Sequence, residues 1–301
     1  MTIPKVSVVI PTYNHREFIL DTLDSVFNQT MSDFEVVVVN DGSPDDTHEL
    51  LQPLVQANRV AYFQQANQGQ SYARNVGIDK ARGEYIAFLD DDDIWPVDKL
   101  EWQVRMLDEN PSLGIIGGRF QAIDASGQFE WAGRYHPEIN FETLFTENPF
   151  HSPGQVLIRA EVLRHVGGLN TAIWGADDWD LWFRVAREFQ IVMVDRLALY
   201  YRFHPSNASK QTARLLEGCC RTIERHLESI VPSKRRELRM RSQRTIYNGL
   251  GSKLVNAARG DVRRGRVIDS MKELAGLLPL RQGILFDAQV RSRFLRDVVY
   301  G

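Results

Sequence analysis

The chain has 301 residues, 43% of them hydrophobic, with 36 Lys and Arg, 39 Asp and Glu, and two cysteines. It is apolar enough for a sizeable core and longer than one ordinary domain, so one large domain with an appendage, or two domains, is expected. Adjacent Cys219 and Cys220 seldom bridge and no stretch reaches the ~18 apolar residues of a spanning helix, which excludes a disulfide framework and points to a reduced, cytosolic chain.

The opening "MTIPKVSVVIPTYN" holds one apolar run, Val6 to Ile10 with Ser7 inside it, stopped by Pro11. It is too short for a signal peptide. In a cytosolic chain the sequons at Asn28 and Asn207 are chance matches. Strand-like runs then alternate with amphipathic helical stretches: 6–10 then 17–29, 34–39 then 45–57, 60–63 then 69–81, 85–89 then 97–108. Near-continuous Val, Ile and Phe strands between helices mark a mostly parallel sheet covered on both faces, an α/β doubly wound fold. Ser43-Pro44 reads as the N-cap and first position of the second helix, and Arg82-Gly83 as the stop of the third.

From about Leu113 strand-like pieces at 115–123 and 155–159 are separated by aromatic and polar loops, followed by a helix at 178–187 and two strands, 191–194 and 197–203. After Pro205 the chain reads helical and Arg-rich, without an internal repeat. Net charge divides at the same place: residues 1–204 hold 16 Lys and Arg against 30 Asp and Glu, near −14, and residues 205–301 hold 20 against 9, near +11. Such asymmetry points to two regions with different partners. The boundary falls at 205–212, giving a domain over 1–208 and a basic, mostly helical region over 209–301.

In open α/β sheets ligands bind beyond the carboxyl ends of the strands. Those ends carry Pro11-Thr12-Tyr13-Asn14, Asn40-Asp41-Gly42-Ser43, the segment 65–69, and Asp90-Asp91-Asp92-Asp93. A tyrosine ring can stack on a nucleobase and an aspartate can accept its N–H, although Tyr13 also suits a core and Asp41-Gly42 a turn. Two carboxylates about 4 Å apart repel by ~1 kcal/mol in water and ~4 kcal/mol near a protein surface, so four in a row need water or a cation. In an extended segment Asp90 and Asp92 share one side and Asp91 points elsewhere, to a ribose or a neighbouring donor. Hard oxygen ligands with few partners suit Mg²⁺ or Mn²⁺ held jointly with a diphosphate.

Four pieces in order, "SVVIPTYNHREFILDTLDSVFNQT", "FEVVVVNDGSPDDT", "NQGQSYARNVGIDKARGEYIAFLDDDDIW" and "ADDWDLWFRVA", give residues 3–204 a specific resemblance to the family 2 glycosyltransferases of the GT-A fold. It implies an inverting, metal-dependent transfer from a nucleoside diphosphate sugar, a UDP-sugar first, to an acceptor hydroxyl. Residues 1–110 would then be the nucleotide-binding half and 111–208 the acceptor-side half. By the same resemblance Tyr13 and Asp41 contact the base, Pro11 and Thr12 line its pocket, Asp90 and Asp91 serve the nucleotide, and Asp92 is the first choice of metal ligand, with Asp90 beside it. "WGADDWDLW" resembles the Glu-Asp motif, with Asp178 as general base and Asp177 where the family has glutamate. Alternatively both aspartates only start a helix whose apolar face is Leu181, Trp182 and Val185. His204 follows the closing strand where such enzymes place a metal-binding histidine; His136, His151 and His165 lack such support.

Arg74 reads either as a diphosphate ligand or as an exposed helix arginine. Trp174 and Trp179, with the aromatics of 124–153, are expected either on the acceptor side, where aromatic faces suit sugar rings, or in packing. The "GLGSKL" stretch at 249–254 lacks the spacing of a phosphate loop. Two rivals are weighed. A nucleotidyltransferase would carry a Gly-rich basic loop where this chain has "PTYNHRE", and a nucleotide-sugar-binding protein without turnover would not need both the acidic run and Asp178. The resemblance implies a saccharide or lipid-linked acceptor, in cell-surface polysaccharide or glycolipid synthesis. The basic C-terminal region is either a solvated helix face or a contact to an anionic membrane surface, which puts the protein in the cytoplasm, peripheral on the inner face; nucleic acid is not expected of an acidic catalytic part.

Overall fold

The computed structural model describes residues 3–264 and 266–299. They form two compact units, neither continuous in sequence: Met1–Asn140 with Pro149–Thr171 and Arg184–His204, and Phe141–Asn148 with Ala172–Phe183 and Pro205–Gly301.

The first unit is built on an eight-stranded sheet: β1 (Val6–Thr12), β2 (Phe34–Asn40), β3 (Ala61–Gln64), β4 (Tyr85–Phe88), β5 (Leu113–Asp124), β6 (Phe129–Ala132), β7 (Val156–Arg159) and β8 (Gln190–Phe203). Their order is β3-β2-β1-β4-β7-β5-β6, with β8 parallel to β5. β1, β2, β3 and β4 pair in parallel, and antiparallel β7 joins β4 to β5. Every residue of β1 and β4 is buried, as expected of strands covered on both faces. Five helices belong here: α1 (Ile19–Phe27), α2 (Thr47–Gln56), α3 (Gln70–Lys80), α4 (Lys99–Glu109) and α5 (Ala160–Val166). α3 lies close on the sheet because Gly77 has no side chain; a Cβ there would stand 2.2 Å from Val9 Cγ1.

Strand order reverses at β1. The chain leaves β1 for β2 and β3 on one side and returns to β4 on the other, so the carboxyl ends of β1 and β4 flank a switch point, where such sheets open a crevice. The register sets Val9 opposite Phe88, which carries the Tyr13 loop and the acidic run to the same edge.

Three local expectations are corrected. α2 starts at Thr47, not at Ser43-Pro44, because Asp45 Oδ1 accepts from Thr47 N at 3.2 Å and from Thr47 Oγ1 at 2.6 Å, while Ser43 Oγ accepts from Asn14 N. Helix α3 ends at Lys80, and Gly83 instead backs onto Ser7, whose Oγ accepts from Gly83 N at 2.8 Å. The two closing strands are one, β8, whose polar Asp195-Arg196 step bulges out between the pairs Gly118–Val194 and Arg119–Leu197.

The second unit is helical. It holds residues 177–183 of α6 (Asp177–Val185), then α7 (Thr212–Leu227), α8 (Pro232–Ile246), α9 (Ser252–Arg263), α10 (Val267–Ala275), α11 (Arg281–Phe286) and α12 (Ala288–Val299). Tyr247–Gly251 forms a π-turn between α8 and α9. Leu216, Ile223, Leu238, Tyr247, Val255 and Leu280 are buried in it. Among the described residues no helix is long and apolar enough to cross a membrane.

Candidate active site

At the end of β1, Pro11 and Thr12 are buried but Tyr13 is 45% exposed, so the core reading of Tyr13 fails and its ring faces outward. Asn14 follows with φ 57°, a turn conformation its short amide tolerates. Thr12 O accepts from Asp41 N at 2.9 Å, joining this end to that of β2.

Asp41 is 3% exposed. Its Oδ1 accepts from Gln65 Nε2 at 2.7 Å and Gln68 N at 2.9 Å, and its Oδ2 from Gly69 N at 2.8 Å. Three donors thus hold the loop that starts α3, and a carboxylate with about four acceptor positions keeps one for a further donor. Gly42 permits this: its φ is 73°, and a Cβ would stand 3.0 Å from Asn67 N.

The acidic run turns rather than extends, with Asp93 N donating to Asp90 O at 3.2 Å. Asp90 and Asp92 therefore do not act as an i, i+2 pair; instead Asp90 Oδ2 and Asp93 Oδ2 both accept from Ser152 Oγ at 3.4 Å. Asp90 Oδ1 accepts from Arg74 Nη2 at 2.5 Å and Gln70 Nε2 at 3.0 Å. Arg74 is 3% exposed, which rules out the exposed-helix reading. Asp91 accepts from Tyr13 N at 3.1 Å and pairs with His15 Nδ1 at 2.8 Å. Asp92 Oδ2 lies 2.8 Å from His204 Nε2. Asp93 Oδ1 accepts from Arg202 N at 3.0 Å, and its Oδ2 from Ser152 Oγ at 3.4 Å.

Electrostatics sort the four further. Burial, then the charges of Asp92 and Asp90, push Asp93 well above the usual carboxylate range. Asp91 is also raised by burial, against the hydrogen bond and charge of His15. Burial opposes a charge on His15, but the hydrogen bond to Asp91 and the charges of Asp91, Asp92 and Glu17 carry its imidazole up to about 9.

His15, Asp92 and His204 each offer a ligand atom within 4.8 Å of the others, and they are the one such group of three among the described residues. The set fits a divalent cation, which would replace the imidazole protons. Two imidazoles among three donors weigh against Mg²⁺, which keeps oxygen ligands, and leave Mn²⁺ the better fit of the two expected ions. Asp90, held by Arg74, is not in this group.

In the second unit Asp177, Asp178 and Trp179 are all buried. Asp178 accepts from Asn148 Nδ2 at 3.3 and 3.4 Å and from Trp179 N at 2.6 Å. The first helical turn is where a carboxylate is stabilised as an anion. Trp179 Nε1 donates to Leu144 O, so this ring is a packed anchor. Trp174 is half-buried with the Arg214 guanidinium 4.4 Å from its ring centre. In the same first turn, buried Asp180 pairs with His226 Nε2 at 3.0 Å and ties α6 to α7.

Sequence reading missed His15 and Ser152, and placed Gln65 at a strand end without giving it a role. His15 had a usable signal, being the first residue after the "TYN" strand end; Ser152 and Gln65 act only through partners remote in sequence.

The profile of the family described as "Glycosyl transferase family 2" matches residues 7–167. An uncharacterized glycosyltransferase of Rickettsia felis is 32% identical over 226 residues, 72% of this chain and 37% of that protein. The chain spans only 20–37% of the length of the first curated relatives it matches. Of solved structures, S. aureus TarS 1–349 in complex with UDP-GlcNAc aligns with a TM-score of 0.65 at 17% identity, over 98% of this chain and 89% of that one. The mannosyltransferase PcManGT from Pyrobaculum calidifontis, in complex with GDP-Man and Mn²⁺, aligns at 0.60 and 18%, over 99% and 88%. These likenesses establish the GT-A type of fold. With the profile covering more than half of its length and the strand ends holding the acidic run and its partners, the chain belongs to glycosyl transferase family 2.

Proposed function

We propose that the protein is an inverting glycosyltransferase that moves a sugar from a nucleoside diphosphate sugar, a UDP-sugar first, to an acceptor hydroxyl. The observation that carries this is the trio His15, Asp92 and His204 beside exposed Tyr13, a cation site next to an aromatic platform. TarS with UDP-GlcNAc and PcManGT with GDP-Man and Mn²⁺ support a nucleotide-sugar donor and a divalent ion.

In this reading Tyr13 stacks on the base, Pro11 and Thr12 line its pocket, and Asp41 offers its remaining acceptor position to the base. Arg74, held by Asp90, sits at the start of α3 to meet a phosphate, and Asp91 serves the ribose or orders the loop through Tyr13 N. His15, Asp92 and His204 would hold the cation, with Asp90 outside the set. When bound, such an ion supplies Lewis-acid stabilisation of the diphosphate's growing negative charge. Asp178 takes the proton of the acceptor hydroxyl while the new C–O bond forms and the bond from anomeric carbon to diphosphate breaks, a single displacement. Asp177 and Trp174 shape the acceptor side, with Trp179 packed as the anchor of that helix start.

The acceptor is a saccharide or lipid-linked saccharide of cell-surface polymer synthesis, met in the cytoplasm at the inner face of a membrane. The charge split supports the last point. Calorimetric titration of UDP-, GDP- and dTDP-sugars with and without Mn²⁺, followed by product analysis, tests the proposal. Absence of binding by every donor in Mn²⁺ rejects it.

A further inference from the structure

Helix α10 is amphipathic in the wrong sense for a buried element. Its buried residue is Ser270, while Val267, Ile268, Met271 and Leu274 are 59%, 70%, 67% and 40% exposed. At about 100° per residue these four and Ala275 fall within an arc of roughly 120°, a continuous apolar stripe. Leu278, just past the helix, is 63% exposed. Scattered exposed apolar residues need no explanation, but a stripe of this kind on one helix marks an interaction surface.

Its surroundings select the occupant. Arg263, Arg264, Arg266 and Arg281 stand on either side of α10 in sequence, Lys272 stands within it, and all are exposed, in a region carrying 20 Lys and Arg against 9 Asp and Glu. Some are partly neutralised, Arg266 by Asp261 and Asp269 and Lys272 by Asp269. A second copy would bring the same net positive field against itself. An anionic bilayer instead offers negative headgroups to the arginines and an acyl boundary to the stripe, the pattern of a helix lying in the interface plane.

We infer that α10 is an interfacial membrane helix, inserting Val267, Ile268, Met271 and Leu274 below anionic headgroups that the surrounding arginines contact. The inference deepens the membrane part of the proposed function and rests on it. Its advantage to the enzyme is to hold the chain on the surface that carries a lipid-linked acceptor.

The test is co-sedimentation of residues 1–301 with phosphatidylcholine vesicles, with and without phosphatidylglycerol, against the double variant Ile268→Gln/Met271→Gln. Glutamine leaves the charge unchanged, and both positions are so exposed that circular dichroism and melting should match wild type. We expect binding to the anionic vesicles, weakened about tenfold or more in the variant, from the loss of two inserted apolar side chains. Equal binding by both proteins would mean that arginines alone make the contact, and would overturn the role of α10. No binding by either overturns the membrane reading itself, while donor titration still reports separately on glycosyl transfer. A wild-type dimer in sedimentation velocity that the variant lacks, with no vesicle binding, would assign the stripe to a second copy instead.

Discussion

His204 Nε2 stands 2.8 Å from Asp92 Oδ2, across 112 residues of chain. The contact completes a short zipper. Ile94 and Tyr200 exchange backbone hydrogen bonds at 3.1 and 2.8 Å, Arg202 N donates to Asp93, and His204 meets Asp92. For each residue the acidic run steps back, the end of β8 moves on by two. The like charges are therefore tolerated because each carboxyl meets a donor: Asp90 at Arg74, Asp91 at His15, Asp92 at His204 and Asp93 at Arg202 N.

Replacing His204 or His15 by Ala should accordingly weaken Mn²⁺-dependent UDP binding by tenfold or more, about 1.4 kcal/mol, because each removes one donor of three. Asp90→Asn, outside the trio, should change the Mn²⁺ dependence far less. Calorimetry on the three proteins at fixed UDP decides; a larger Mn²⁺ defect in Asp90→Asn than in the histidine variants would shift the cation to the other end of the run.

Much of this fold was legible because its signals are local. Val6–Ile10 and Phe34–Val39 are too apolar for anything but doubly covered strands, and Arg82-Gly83 marked the end of α3 to within two residues. What failed was contributed by distant chain. Asp195-Arg196 looks like a break between two strands, yet β5 runs past it and keeps β8 continuous through a bulge. Ser43-Pro44 is a good cap in isolation, but Asn14, 29 residues earlier, takes the Ser43 hydroxyl. The acidic run was legible as a cluster at a strand end, and its geometry was not, since alternation holds only for extended backbone. His15 lay in plain view; its value depends on Asp91 and His204, which no local pattern brings to it.

Asp41 has a structural load that sequence could not disclose. Asp41→Ala leaves Gln68 N, Gly69 N and the Gln65 amide without their acceptor, so stability should fall by about 2–3 kcal/mol in urea unfolding. Nucleotide affinity should fall with it, because the loop leading to Arg74 loosens. Unchanged stability together with lost UDP binding would show that Asp41 acts on the base alone.

Lys99 is buried without a carboxylate partner in contact: its Nζ donates to Gln103 Oε1 at 2.7 Å and Val156 O at 3.3 Å and lies 4.0 Å from the centre of the Trp95 ring. Burial drives its ammonium well below the ordinary value. The folded chain thus releases this proton at lower pH than the unfolded chain. Below both values the buried charge costs its full amount, and the cost is relieved as pH rises from the folded value toward ~10.4. Wild type should therefore gain stability relative to Lys99→Met between about pH 7 and pH 10. Parallel urea midpoints across that range would show that the folded chain keeps the Lys99 proton as long as the unfolded chain does.

Asp178→Asn should separate binding from chemistry. Asparagine keeps the size and an oxygen that can accept from Trp179 N, and Asn148 can rotate its amide to face the new side chain, so unfolding should shift by less than about 1 kcal/mol. Because Asp178 supplies no ligand to the His15, Asp92 and His204 set, Mn²⁺ and donor affinity should stay near wild type. The amide cannot accept the acceptor's proton, and sugar transfer should drop by about 10²–10⁴-fold, the usual worth of a general base. Donor titration and product formation on the same preparation give the two numbers. Loss of donor affinity would mean that Asp178 belongs to the donor site. Near-normal transfer would take the base role from Asp178 and pass it to Asp177, buried at the same helix start and carrying the same carboxyl chemistry.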